Sequence, residues 1–270
     1  MALAHVRPYE PDFVLESAWY WPVAPLLAAL PVRTRFPSAA ELSDLYAARA
    51  RDAEGALPLH FTEVPKQKPR RRPKGPVALH TLYEGRIAER GEVPQRKDDW
   101  HDLFNALAFI AFPRAKAALH LRQYHVMRAR IGPRDTRLPG ARTREQDALS
   151  LFDEGGVAVI ASPEAATAID VDSDDCSDVV AELCREGRAH VLPFGHALYE
   201  HLVAGLPCPL AMPHVVVDHS AWRERDAVLL RADRALAENL QNSACFQAPA
   251  RCRGLSLAAL PCLPPPPLGG

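Results

Sequence analysis

The stretch DDWHDLFNALAFIAFPRAK, from Asp98 to Lys116, constrains this chain more than any other. It is the longest strongly apolar run in the sequence, yet Asp98, Asp99, His101, Asp102 and Asn105 crowd its first two turns. Read as a helix, at about 100° per residue, it places Trp100, Leu103, Phe104, Leu107 and Ala111 on one face, and His101, Asn105, Phe109 and Phe112 on another. The second half is apolar all round and must be buried. Polar groups in such a segment need hydrogen-bond partners, because an unpaired polar group costs free energy once it leaves water. His101 and Asn105, one turn apart, therefore predict a partner from elsewhere in the chain or a ligand.

Punctuation marks the neighbouring elements. Asp12 to Leu30 reads as an aromatic helical segment interrupted by prolines, with Phe13, Trp19, Tyr20 and Trp21 as packing anchors. Ser38 to Glu41 has the capping-box pattern and opens a helix carrying Leu42, Leu45 and Tyr46, with Gly55 as its stop. Leu57, Leu59 and Phe61 alternate as an edge strand would. Val77 to Tyr83 reads as a strand, Glu84-Gly85 and Arg90-Gly91 as turns with room for a short strand, and Asp98 or Asp99 as the cap of the central helix. Pro113 ends or kinks that helix, and a second amphipathic piece continues to Arg130. Residues 132–144 form a Pro/Gly/Arg loop and the best subdomain boundary.

Beyond the loop, Arg144 to Gly156 reads as a short helix closing at its glycines, and Val157 to Ala161 as a buried strand. Ser162-Pro163-Glu164 opens a further helix. The run DVDSDD from Asp170 alternates carboxylates as a calcium loop does, but it lacks the glycine at the sixth position and has Ala181 at the twelfth. It is read as the acidic start of a helix reaching Arg185. Ala189 to Phe194 is a strand feeding a helix in which His196 and Glu200 share a face. Val215 to Val217 is a third apolar strand, followed by a helix capped by Ser220 and running to about Asn242. The predicted fold is α/β to α+β, a helix-rich single domain over residues 1–242 with a small central sheet built near Val77, Val157, Ala189 and Val215. Residues 243–270 form a Pro/Cys-rich irregular tail.

Composition excludes several function classes. With 32 basic residues against 33 acidic, no global field recruits nucleic acid or an anionic membrane. Lys66 to Lys74 concentrates six positive charges without an acid, which could contact nucleic acid, although a solvated loop is the simpler reading. The N-terminus lacks a basic start followed by an apolar core, and no uncharged apolar run reaches a membrane span of roughly 18 residues. A cytoplasmic protein is expected. Its six cysteines include no Cys-x-x-Cys pair, so reduced thiols are expected rather than a zinc ribbon. No Gly-x-Ser-x-Gly, Gly-x-Gly-x-x-Gly or Gly-Lys-[Ser/Thr] occurs, which argues against a serine hydrolase elbow and the familiar phosphate loops.

Four motifs carry a resemblance: WHDLFNAL from Trp100, Phe112-Pro113-x-x-Lys116, the segment from Asp147 through Asp153-Glu154 to Gly156, and FGHAL from Phe194. Together they resemble a bacterial family of uncharacterised proteins, domain-of-unknown-function family 3025, over about Asp12 to Leu240. The resemblance brings no activity. It groups His101, Asp102, Asn105, Lys116, Asp147, Asp153, Glu154 and His196 as matching polar positions.

Two histidines and several carboxylates suit a divalent metal, with a spare histidine as general base. The expected function is a metal-assisted hydrolase acting on a phosphate-containing or otherwise small anionic ligand. His101, Asp102, Asn105 and Lys116 are the expected catalytic residues, and Asp147, Asp153, Glu154, His196 and Glu200 the expected metal ligands. A strand, turn and helix with His and Asn also resemble the ββα-metal finger of HNH-type nucleases, although here both residues lie on one helix. The alternative is a non-catalytic binding or interaction protein whose polar cluster is structural. In it His101 and Asn105 bond to backbone ends or Asp147, Lys116 pairs with Asp153 or Glu154, and His196 caps a strand.

Overall fold

The computed structural model describes residues 8–65, 75–171, 173, 176–207, 211–218, 225–249 and 254–261. The basic run Lys66 to Lys74, three carboxylates of the acidic run (Asp172, Asp174 and Asp175) and the expected cap Ser220 lie outside the described residues.

The aromatic N-terminal segment folds as two 3-10 turns, Pro11–Leu15 and Ala18–Tyr20, and a short helix α1 (Ala24–Ala28), with Phe13, Tyr20 and Trp21 buried. Helix α2 (Ala39–Arg51) starts at the expected capping box, in which Ser38 and Glu41 satisfy each other's backbone N–H groups. Strand β1 (His60–Val64), helix α3 (Tyr83–Arg90) and strand β2 (Glu92–Arg96) follow, and β1 and β2 pair in parallel. The region from Val77 is thus not a strand. It forms a 3-10 turn, Leu79–Thr81, and then α3, because Gly85 lets the helix press against the Leu79 carbonyl, 1.9 Å from where a Cβ would lie. The resemblance to a ββα finger fails for the same reason: β1 and β2 are parallel strands joined through a helix, not a hairpin.

Helix α4 (Trp100–Ala111) begins at Asp99, whose side chain accepts from the Asp102 N–H, and it ends before Pro113, which opens α5 (Pro113–Arg128). Helix α6 (Arg144–Gly155), capped by Thr143, runs directly into β3 (Gly156–Ala161). Helices α7 (Pro163–Ala168) and α8 (Ser177–Arg185) lead to β4 (Ala189–Pro193), α9 (His196–Val203), β5 (Met212–Val217) and α10 (Arg225–Gln241). The second sheet has the order β4-β3-β5, with β3 antiparallel to β4 and parallel to β5. The architecture is helix-rich α+β, and among the described residues the strands form two small separate sheets where a single one was expected.

Every residue of β3 is buried because the strand is covered on both faces. Ala158 and Ile160 join the main core around α4, α5 and α10, while Val157, Val159 and Ala161 face a second cluster with α7 and α8. The described part of the C-terminal segment is not loose. Leu255 bridges to Ala211, and Leu255, Leu257 and Leu260 are buried in that second cluster. Among the described residues no helix is long and apolar enough to cross a membrane.

Asp233 ties α10 to the start of α5. Fully buried, it accepts from the backbone N–H of Arg114 (3.1 Å) and Ala115 (2.8 Å), donors that a helix start leaves without intrahelical partners. The Asp233→Ala variant is expected to lose about 3 kcal/mol in urea unfolding, from a lost cap and two orphaned N–H groups.

Candidate functional site

Helix α4 carries the polar residues that organise the site. Asp102 is held by Arg96 at the end of β2: the Arg96 backbone N–H and Nε donate to Oδ2 (2.6 and 2.9 Å), and Nη2 donates to Oδ1 (2.7 Å). Burial acts to raise the Asp102 pKa, but these donors together with His101 hold it well below the usual carboxylate range. Asp102 Oδ1 also lies 2.9 Å from His101 Nδ1. That bond raises the His101 pKa against the opposing effect of its own burial.

The other ring nitrogen of His101 meets a second histidine. Its Nε2 lies 3.0 Å from Nε2 of His196, with the rings at 81° to one another. His196 is the first residue of α9, only 3% exposed, whereas the His101 side chain is 44% exposed. The pair therefore stands between solvent and core. Burial lowers the His196 pKa to about 3. Its Nδ1 makes no hydrogen bond among the described residues, and the Asp153 backbone lies near the ring. Glu200, one turn further along α9, is buried, feels the charge of His101 and has no hydrogen bond among the described residues.

A second layer lies beneath. Lys116 on α5 is 0% exposed and donates to Asn105 Oδ1 (2.9 Å) and Asp153 Oδ1 (2.5 Å), with its ammonium 4.8 Å from the Phe109 ring. Asn105 donates onward to the Tyr83 hydroxyl at 2.7 Å. His120, one turn after Lys116, stacks on Phe109 and lies 3.7 Å from Asp153. Desolvation lowers the Lys116 pKa against the pull of Asp153. Burial pushes Asp153 up, yet Lys116 and the neighbouring histidines outweigh it and hold the carboxyl low.

The structure thus brings His101, Asp102, Asn105, Lys116, Asp153, His196 and Glu200 into one region. Asp147 and Glu154 stay out. On α6 Asp153 points inward, Glu154 is exposed one step round and reaches Lys116 only through its charge, and Asp147, half-buried in the first turn, has no hydrogen bond or ion pair to the cluster among the described residues. Asp153 is committed to Lys116, and the full enclosure of Lys116 makes it a positioning residue. Three participants went unrecognised in the sequence: Arg96, Tyr83 and His120. His120 carried a signal, since it lies four residues after Lys116 on a predicted helix. Tyr83 was assigned to a strand, and nothing local distinguished Arg96.

Asp99, His101 and Asp102 each offer a donor atom within 4.8 Å of the others, a spacing a metal could use. Arg96 already occupies both carboxylates, bonding Asp99 Oδ1 (3.2 Å) as well as Asp102. A cation there would compete with a resident guanidinium.

The family model described as "Protein of unknown function (DUF3025)" matches residues 73–265. The chain belongs to this family. The DUF3025 match takes in α4, α5, α6 and α9 with all the residues of the site, and it extends past Leu240, where the sequence resemblance had stopped. No curated protein and no solved structure matched the chain.

Two tests follow from the inner layer. Lys116→Met leaves Asp153 without its counter-charge in the interior and is expected to destabilise the fold by about 3–5 kcal/mol in urea unfolding. His120, buried and neutral, has its pKa lowered to about 4 from 6.5. The unfolded chain binds more protons between those values, so this histidine's contribution is present above pH 6.5 and is lost as pH falls towards 4. Urea midpoints should therefore fall between pH 7.5 and 4, with His196 and His214 titrating in the same sense, and His120→Gln should reduce the fall by the equivalent of about 3 kcal/mol.

Proposed function

We propose that this DUF3025 protein is a metal-assisted hydrolase in which His101 and His196 together hold a divalent cation. The observation that carries the reading is the 3.0 Å approach of the two Nε2 atoms. Asp102 favours a proton on His101 Nδ1, which leaves that ring's Nε2 facing Nε2 of His196. A proton on either Nε2 makes this contact an ordinary hydrogen bond; with both protons on Nδ1 the two lone pairs converge, an arrangement that a shared cation satisfies. Nitrogens each about 2.0–2.1 Å from one ion lie roughly 3.0–3.4 Å apart when they occupy adjacent positions. An outer hydrogen bond from each ligating ring to a carboxylate or carbonyl is the usual support for such ligands.

Glu200 is the nearby carboxylate that is not already hydrogen-bonded, and it suits a third ligand or the group that takes a proton from water. When bound, the cation supplies Lewis-acid activation of water. Asp102 orients His101, Arg96 orients Asp102, and Asn105 with Lys116 hold α4 against α5 and α6. The start of α9 has no side-chain cap, which favours a phosphate-containing or otherwise anionic substrate. In this reading the protein acts in the cytoplasm.

A second reading takes the cluster as purely structural, within a binding or interaction protein. The complete enclosure of Lys116 favours it, since a sealed and satisfied polar network can specify packing without chemistry.

Elemental mass spectrometry of the purified protein separates the two. Near-stoichiometric metal in the wild type, lost from His101→Ala and His196→Ala at matched circular dichroism, is the expected result. A wild type that stays metal-free after incubation with zinc, manganese and magnesium would sink the proposal.

A further inference from the structure

A cavity of about 250 Å³ opens at the C-terminal ends of the parallel strands β1 and β2, lined in part by Arg96, whose guanidinium also holds Asp102. One wall is the segment from Arg35 to Ala39 leading into α2, and the other runs from Gln95 to Asp98, with Glu63 at the end of β1. Crevices at the carboxyl ends of parallel strands are where ligands commonly sit, since the chain diverges there into loops. The volume is at the small end of ligand cavities, which suits a molecule of one or two rings.

Gln95 is the residue that makes this cavity unusual. Strand β2 turns Val93 and Gln95 inward on one face, and Gln95 is only 7% exposed. Its Oε1 is buried and has no hydrogen-bond partner among the described residues. An unpaired buried amide oxygen costs about 1–3 kcal/mol, which a ligand bringing an N–H donor would recover. A glutamine side chain offers an acceptor and donors in one plane, and it recognises a matching planar edge, as it does on adenine. Phe36 adds an aromatic surface to the same wall. Arg35, held by two bonds from its guanidinium to Glu41 (2.8 and 3.0 Å), and the exposed Lys97 stand at the rim.

We propose that this cavity binds a planar, nucleobase-sized molecule through an amide-type donor–acceptor edge paired with Gln95. Such recognition reads the edge of a ring and needs no glycine-rich phosphate loop, which the chain lacks. The ligand's source is a free base or a nucleotide, and Lys97 at the rim distinguishes them by reading a phosphate. The proposal does not rest on the metal proposed at His101 and His196, although Arg96 lines this cavity and also holds Asp102.

The test is isothermal titration of the full chain with adenine, cytosine, uracil and guanosine, and with the four ribonucleoside 5′-monophosphates. At least one is expected to bind with unit stoichiometry, and Gln95→Leu to weaken that binding tenfold or more while keeping the wild-type circular dichroism. Gln95→Met serves if the leucine variant does not fold. Tighter binding of the monophosphate, with the difference abolished by Lys97→Ala, identifies a nucleotide, and equal binding identifies the free base. No binding by the wild type at millimolar ligand, or undiminished binding by the folded Gln95 variant, overturns the proposal.

Discussion

A fully buried ammonium is the constraint on which the centre of this fold depends. Lys116 cannot leave water without partners, and its partners come from different parts of the chain: Asn105 on α4, Asp153 on α6 and the ring of Phe109 beneath it. Satisfying one charge therefore fixes three helices against one another. The arrangement reaches α9 through a close approach that only glycine allows. A Cβ on Gly195 would lie 2.4 Å from the Glu154 carbonyl oxygen, so the end of α6 and the start of α9 touch at backbone distance. His196 follows that glycine directly, and its position is set by the same contact.

The polar residues divide into layers with different physical characters. Around Lys116 the groups are sealed, and the fixed charges of Lys116 and Asp153 neutralise each other at short range. Around His101 the groups reach solvent. Asp102 there is oriented by a guanidinium and in turn orients an imidazole, leaving that ring's far nitrogen turned towards His196. A rigid interior supporting a partly exposed, hydrogen-bonded histidine is the arrangement that chemistry at a surface requires, since a reactive group must be both held and reachable.

Much of this was legible because helical periodicity is local. The spacing of His101 and Asn105 within an apolar run required partners, and the structure supplies them. The structural alternative paired Lys116 with Asp153 or Glu154, and the structure selects Asp153, while His196 with Glu200 at a strand-to-helix junction follows from helical spacing. The helix caps at Ser38 and Ser162, and the choice of Asp98 or Asp99 that the structure resolves to Asp99, were equally local, since each needs only a few neighbouring residues. The region from Val77 misled because its short apolar run fits strand and turn equally well, and the close packing allowed by Gly85 depends on how the chain folds back.

By itself, then, the sequence determined most of the helices, α3 excepted, and the polar residues of the central helix that needed partners, and hence that a polar cluster would form around it. Only the tertiary structure decided the pairings. It set His101 against His196 across 95 positions of chain, left Asp147 and Glu154 outside, recruited Arg96, Tyr83 and His120, and divided the strands into two sheets. The reason is physical. Periodicity states that a buried polar group needs a partner, but the partner is chosen by distances that close only when helices remote in sequence pack against one another.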